Sequence, residues 1–186
     1  MIPLKRLLFL SILLIFIPLN AYAISLETLQ SNPTKYIKLG EYPTSTYYFE
    51  QNSIKVLRDS FPYLTLQAKV YLVMYDQLAI ADDSFTVSYD CNRSLTSLAI
   101  SKAIESPNIT TNELTDYAIA EAKKDSGIVV NINANNYYQF DGTITTNGSP
   151  IVVLKEKAKF ETVLYSIANK IFYHHNQCRE YFFAGM

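Results

Sequence analysis

Residue types able to do chemistry are few in this chain and widely spaced. Its two cysteines, Cys91 and Cys178, stand far apart, and its two histidines, His174 and His175, are adjacent. Asp76, Asp82, Asp83 and Asp90 fall around two hydrophobic runs and would supply acid and base groups if two of them converged in a cleft. Turn formation and solvated strand edges are the plainer roles for such carboxylates. Neighbouring residues on a regular helix diverge by about 100°, so His174 and His175 do not readily ligate one metal; a helix C-terminus, where protonated imidazole complements the macrodipole, accounts for the pair. No Gly-x-Ser-x-Gly elbow surrounds any serine, and five glycines leave little material for a phosphate-binding loop. The sequence therefore assigns no catalytic residue, no metal ligand and no cofactor.

Tyrosine is the abundant component, with 15 in the chain. Tyr71 and Tyr75 take the parity opposite the predicted buried face of a long strand. Together with Tyr47 they form a candidate outward surface for a protein or glycan, because tyrosine contributes contact area at low entropic cost. Cross-strand aromatic packing is the competing role for the same rings.

The elements that would position these residues follow from periodicity. Leu64, Leu66, Ala68, Val70, Leu72 and Met74 alternate with Thr65, Gln67, Lys69, Tyr71, Val73 and Tyr75, which predicts a strand over 64–75 with the even positions buried. Phe85, Val87, Tyr89 and Cys91 alternate with Ser84, Thr86, Ser88 and Asp90, and Asp82-Asp83 reads as the preceding turn. Shorter strands are expected at 36–39 and 46–50, with 93–100 continuing the β pattern. Thr110 and Glu113 make a capping-box signature, followed by Leu114, Tyr117, Ala118 and Ala122 on one helical face, Lys123 and Lys124 near the end, and Gly127 to close. Residues 128–132 and 137–145 read as strands, and Asn147-Gly148 as a tight turn before the run 151–154. Last, Phe160, Val163, Leu164, Ile167, Ala168, Ile171, Phe172 and His175 recur at helical spacing. The expected fold is α+β: an antiparallel meander packed by a C-terminal helix, with a second helix mid-chain.

The N-terminus sets the expected compartment. Lys5 and Arg6 precede an apolar run from Leu7 to Ile17; Pro18 and Asn20 break it, and Ala21-Tyr22-Ala23 places small residues two apart. That order is a secretory signal peptide over 1–23, and its apolar core would make a helix only about 16 Å long against a hydrocarbon slab of roughly 30 Å. Cleavage after Ala23 leaves residues 24–186 as one predicted domain without a stable membrane span. Loss of Lys5 and Arg6 takes the net charge from −1 to −3, which favours solubility and leaves no broad cationic face for nucleic acid. In an oxidising destination Cys91 and Cys178 are expected to pair.

The succession Tyr36-Ile37-Lys38-Leu39-Gly40, then Tyr47-Tyr48-Phe49-Glu50-Gln51-Asn52-Ser53-Ile54, then Leu66 to Tyr75, then Ser88-Tyr89-Asp90-Cys91 resembles the surface-adhesin protein E family of exported bacterial domains. The similarity covers about residues 36–100, and it lies in the order of these segments. It implies a small antiparallel sheet packed by a C-terminal helix, a place in the envelope or outside the cell, a protein ligand, and Cys178 as the partner of Cys91. The chain departs from that pattern in lacking a lipid-attachment cysteine, in having Tyr36 where a tryptophan is expected, and over residues 105–155. The expected function is an exported, non-enzymatic binding or envelope-associated module. A secreted hydrolase using strand-end carboxylates and a subunit of a periplasmic assembly are the rivals. Intact-mass analysis of the exported protein should give a chain beginning at Ile24 that gains two hydrogens on reduction; two free thiols before reduction would refute the pairing.

Overall fold

The computed structural model describes residues 24–145 and 153–175; the predicted leader, the Asn147-Gly148 turn and Cys178 lie outside the described residues. The elements run α1 (Leu26–Ser31), β1 (Tyr36–Tyr42), β2 (Ser45–Glu50), β3 (Lys55–Ser60), β4 (Tyr63–Met74), β5 (Ala79–Asp90), α2 (Leu95–Glu105), α3 (Thr111–Lys124), β6 (Ile128–Gln139), β7 (Val153–Lys157) and α4 (Val163–His174). The architecture is α+β. Every strand pairing is antiparallel, in the order β1-β2-β4-β5-β6-β7, with β3 also beside β4.

β4 and β5 are twelve residues each and pair without interruption from Tyr63↔Asp90 to Met74↔Ala79. Asp82-Asp83, expected as a turn, lies inside β5; the chain reverses instead at Tyr75–Leu78, where Leu78 takes a positive φ of 51°. β5 covers one edge of β4 in full, and the other edge is shared between two six-residue strands. β2 takes Val70–Met74 and β3 takes Tyr63–Gln67. Between them the Lys69 amide donates to Ser53 Oγ at 2.8 Å, and Ser53 Oγ donates to the Glu50 carbonyl at 2.6 Å. One serine in the 3-10 turn Gln51–Ser53 thereby stitches the gap.

The buried parity of β4 changes along its length. Leu64, Leu66, Ala68 and Val70 are buried as expected, but beyond them Tyr71 and Val73 are buried while Leu72 and Met74 are half-buried. The cause is that helices cover different faces at the two ends. α4 buries Ile167, Ala168, Ile171 and Phe172 against Leu66, Val70, Phe85, Val87 and Tyr89, and the Tyr89 hydroxyl donates to the Ala168 carbonyl at 2.7 Å. On the opposite face, α1 brings Leu29 and the preceding Ile24 onto Tyr36, Tyr48, Tyr71, Val73, Ile80 and Tyr138. At six residues α1 is too short to be stable alone and carries little periodic signal; Ser25 caps it, and packing holds it.

Residues 93–100 do not continue the sheet. Ser94 Oγ accepts the Ser97 amide and starts α2, whose Leu98 packs with Ala118 and Ala122 of α3. The Thr110–Glu113 capping box begins α3 as predicted. At its other end Arg93 donates to the Glu121 and Asp125 carbonyls, a cation on the negative end of the macrodipole. That approach needs Gly127: its φ is +70°, and a Cβ there would stand 2.4 Å from Arg93 Cβ. The two strands expected over 128–145 are one strand, β6, with Ile144 bridging back to Tyr138. α4 starts at Val163, capped by Thr162, so Phe160 precedes it and packs beside α2 and α3.

Leu29→Ala should cost about 2–4 kcal/mol, the loss typical of a buried leucine, whereas Leu72→Ala, on the parity first expected to be buried, should cost less than half as much. Urea denaturation of both variants checks this; equal losses would contradict the change of buried face.

Candidate functional site

The half of the sheet face beyond α1 carries the candidate site. Successive Cα partners define rows across five strands: Lys55–Gln67–Thr86–Asn131–Lys155, and next to it Arg58–Thr65–Ser88–Val129–Lys157. A third row joins Lys69, Ser84 and Asn133. The interior members are half-buried and the four terminal cations are exposed. None of these residues belongs to a packed apolar cluster. Adjacent positions on the same strands, such as Leu66, Val87 and Val130, are sealed beneath α4. The alternation of a strand thus sends hydroxyls and amides to one side and aliphatic groups to the other.

Within the face Thr65 and Ser88 share a hydroxyl hydrogen bond at 3.2 Å. The Asn131 Oδ1 is buried with no hydrogen-bond partner among the described residues, as is Asp82 Oδ1. Each is an acceptor with unused capacity at a place where desolvation is costly.

Where the face meets α1, a cavity of about 480 Å³ is lined by Ile24, Thr28, Asn32, Lys35, Tyr36, Glu50, Lys69 and Tyr71. Its charges are paired in series. Lys35 meets Glu50 at 3.3 Å, the Tyr71 hydroxyl donates to Glu50 at 3.2 Å, and Lys69 meets Asp82 Oδ2 at 3.0 Å. Burial, reinforced by the charges of Glu50 and Asp82, drives the Tyr71 phenol well above its ordinary value, so it acts as a donor and not as a base.

Asp82 and Asp83 stand back to back where β5 and β6 lose register: Asp82 pairs with Asn136, Asp83 with Ala134, and Asn135 is the extra residue of a bulge. Asp82 shares the parity of Tyr71 and is held by Lys69; Asp83 shares that of Val70, towards Tyr47. Burial and then the charge of Asp82 raise the Asp83 carboxyl to about 7.

The structure distributes the other residues singled out from the sequence. Tyr47, Tyr71 and Tyr75 do not form one outward set. Tyr71 is 3% exposed, Tyr75 is half-buried with its hydroxyl 3.0 Å from Thr46 Oγ1, and Tyr47 projects from the opposite face and stacks edge-on to Tyr42. The expectation of outward rings followed the parity that α1 covers. Asp76 is exposed in the β4–β5 turn, and Asp90 accepts from the Asn92 amide at 3.1 Å; neither lines the cavity. Cys91 is buried at the end of β5, its amide donating to the Pro62 carbonyl at 2.8 Å. His174 rests on Phe49 with ring centroids 5.2 Å apart, and burial followed by Lys170 lowers its pKa, which works against the protonated helix-terminal role expected for it. His175 closes α4 through its amide. Among the described residues no three His, Cys, Asp or Glu side chains are placed to hold a metal ion, and no helix is long and apolar enough to cross a membrane. The polar rows had a sequence signal in the matching parities of Thr65-Gln67-Lys69, Ser84-Thr86-Ser88 and Asn131-Asn133. In comparisons with known proteins the chain matches no family model, no curated protein and no solved structure.

Asp83 generates a pH prediction. Its pKa is higher in the folded chain than in the unfolded one, so between about pH 4 and 7 the native state binds more protons, and this group's contribution to stability falls as pH rises through that window. Asp83→Asn should stabilise the protein by on the order of 2–4 kcal/mol at pH 8 and have little effect at pH 4. Urea denaturation at both pH values measures the difference, and a variant less stable than the parent at pH 8 would contradict the assignment.

Proposed function

We propose that this chain is an exported, non-enzymatic binding module of the bacterial envelope or exterior, and that the open polar half of its sheet is the recognition surface. The single observation that carries the reading is the unequal treatment of the two sheet faces: α4 seals one, while cross-strand rows of hydroxyl, amide and cationic side chains on the other are left accessible. An antiparallel sheet can leave one polar face in water, and here that face carries aligned hydroxyl and amide groups, an acceptor without a donor among the described residues, and cations at the row ends, a set that suits a polar ligand. Export is supported by the leader pattern of residues 1–23, and envelope association by the resemblance of residues 36–100 to exported adhesin domains.

A protein ligand, the partner that resemblance implies, is favoured by a separate feature. β3 is exposed along its whole length, with one edge unpaired among the described strands, and Leu57 and Phe61 stand 55% and 66% exposed on and just beyond it. Such an edge suits strand addition by a partner chain.

The test is retention of the purified protein on envelope fractions and on host extracellular matrix. Thr86→Trp should abolish retention if the polar face binds, and Leu57→Asp should do so if the β3 edge binds. Retention unchanged by both, with thermal melts matching the parent, would overturn the reading.

A further inference from the structure

Resting on that reading of the open face, we propose that its ligand is an acidic polysaccharide lying across the strands. The argument begins with charge. On this parity the strands β3 to β7 carry five cationic side chains, Lys55, Arg58, Lys69, Lys155 and Lys157, against Asp82 and Asp90, while Glu50 of β2 shares the parity at the α1 cavity, where Lys35 pairs with it. The whole chain has a net charge of −1, so this surface runs against the protein's own balance. Lys69 is committed to Asp82 at 3.0 Å and Lys157 reaches Asp125 at 3.4 Å, whereas Lys55, Arg58 and Lys155 have no carboxylate within ion-pair distance among the described residues. Lysine on an edge strand also discourages edge-to-edge pairing. That role does not require cations on both edges to share one face and to end the same polar rows.

Spacing points to a polymer. With strands about 4.8 Å apart, the row from Lys55 to Lys155 spans roughly 19 Å. Each strand therefore advances by close to the length of one pyranose ring, and each offers a hydrogen-bonding side chain: Gln67 from β4, Thr86 from β5, Asn131 from β6. Thr86 stands at the centre of the row, and beside it the half-buried Asn131, whose Oδ1 has no donor among the described residues, would accept from a sugar hydroxyl once its side-chain amide turns outward. The outlying cations would then meet carboxylates carried by the chain at either side. A nucleic acid is the less suitable polyanion, because the row from Lys55 to Lys155 contains no aromatic ring on which a base could stack and Tyr63, exposed on the same face, is already covered by the Arg58 guanidinium at 4.7 Å.

The experiment titrates the purified protein with polygalacturonate, neutral dextran and oligothymidylate at low and moderate salt. Polygalacturonate should bind with an affinity that falls as salt rises, and dextran should not bind. Lys55→Gln combined with Lys155→Gln should weaken polygalacturonate binding by about tenfold, while Lys123→Gln with Lys159→Gln, which removes equal charge elsewhere, should leave it unchanged. Equal binding of dextran, tighter binding of oligothymidylate, or indifference to the Lys55/Lys155 pair would overturn the proposal. If no glycan binds but Thr86→Trp still abolishes retention on envelope or matrix, the glycan fails as ligand while the binding face stands.

Discussion

The β4–β5 ladder constrains everything else in this molecule. Its twelve pairs run without a bulge, so side-chain parity is locked over the full length of both strands, and any cover on one face defines by exclusion what the other presents. α4 sits on the even positions of β4 at one end, and α1 sits on the odd positions at the other. The polar rows occupy the stretch where, among the described residues, the odd positions receive no helix. Their accessibility follows from two short helices meeting a sheet longer than either can cover.

That geometry explains why the charged groups behave differently from one another. Lys69 and Asp82 are drawn together where the open face passes under α1, so each is partly desolvated and each compensates the other. Asp83, one residue along, is carried by the alternation of the strand to the opposite side, where burial and then the charge of Asp82 raise its carboxyl, with no cation among the described residues set against them. The bulge at Asn135 lies beside this carboxylate pair, where the β5–β6 ladder yields and the β4–β5 ladder does not. Cations farther out on β3 and β7 stay in solvent because those strands form sheet edges and have a neighbour on one side.

Much of the framework was legible in the residues. Strict alternation over 64–75 and 84–91 located β4 and most of β5, the Thr110–Glu113 capping box located α3, and the helical stripe ending at Phe172 located α4. Each is a local pattern, written within a dozen residues by propensity, capping chemistry or burial on one side. The misreadings share a cause. Ser94 could begin a helix or close a strand, Asp82-Asp83 could turn or continue, and α1 is too short to declare itself; in all three a distant segment decides.

The sequence by itself determined that an antiparallel sheet would alternate apolar and polar positions, that a terminal amphipathic helix would need a cover, and that few residues were available for covalent or metal chemistry. Only the tertiary structure decided which parity is buried at each point, and hence that Tyr71 is enclosed while Gln67, Thr86 and Asn131 line up beside one another in the open. The physical reason is that alternation specifies two faces without ranking them. Which face meets water depends on where α1 and α4 dock, and which residues become neighbours depends on registers set between paired residues up to 60 positions apart, the separation of Ala79 and Gln139.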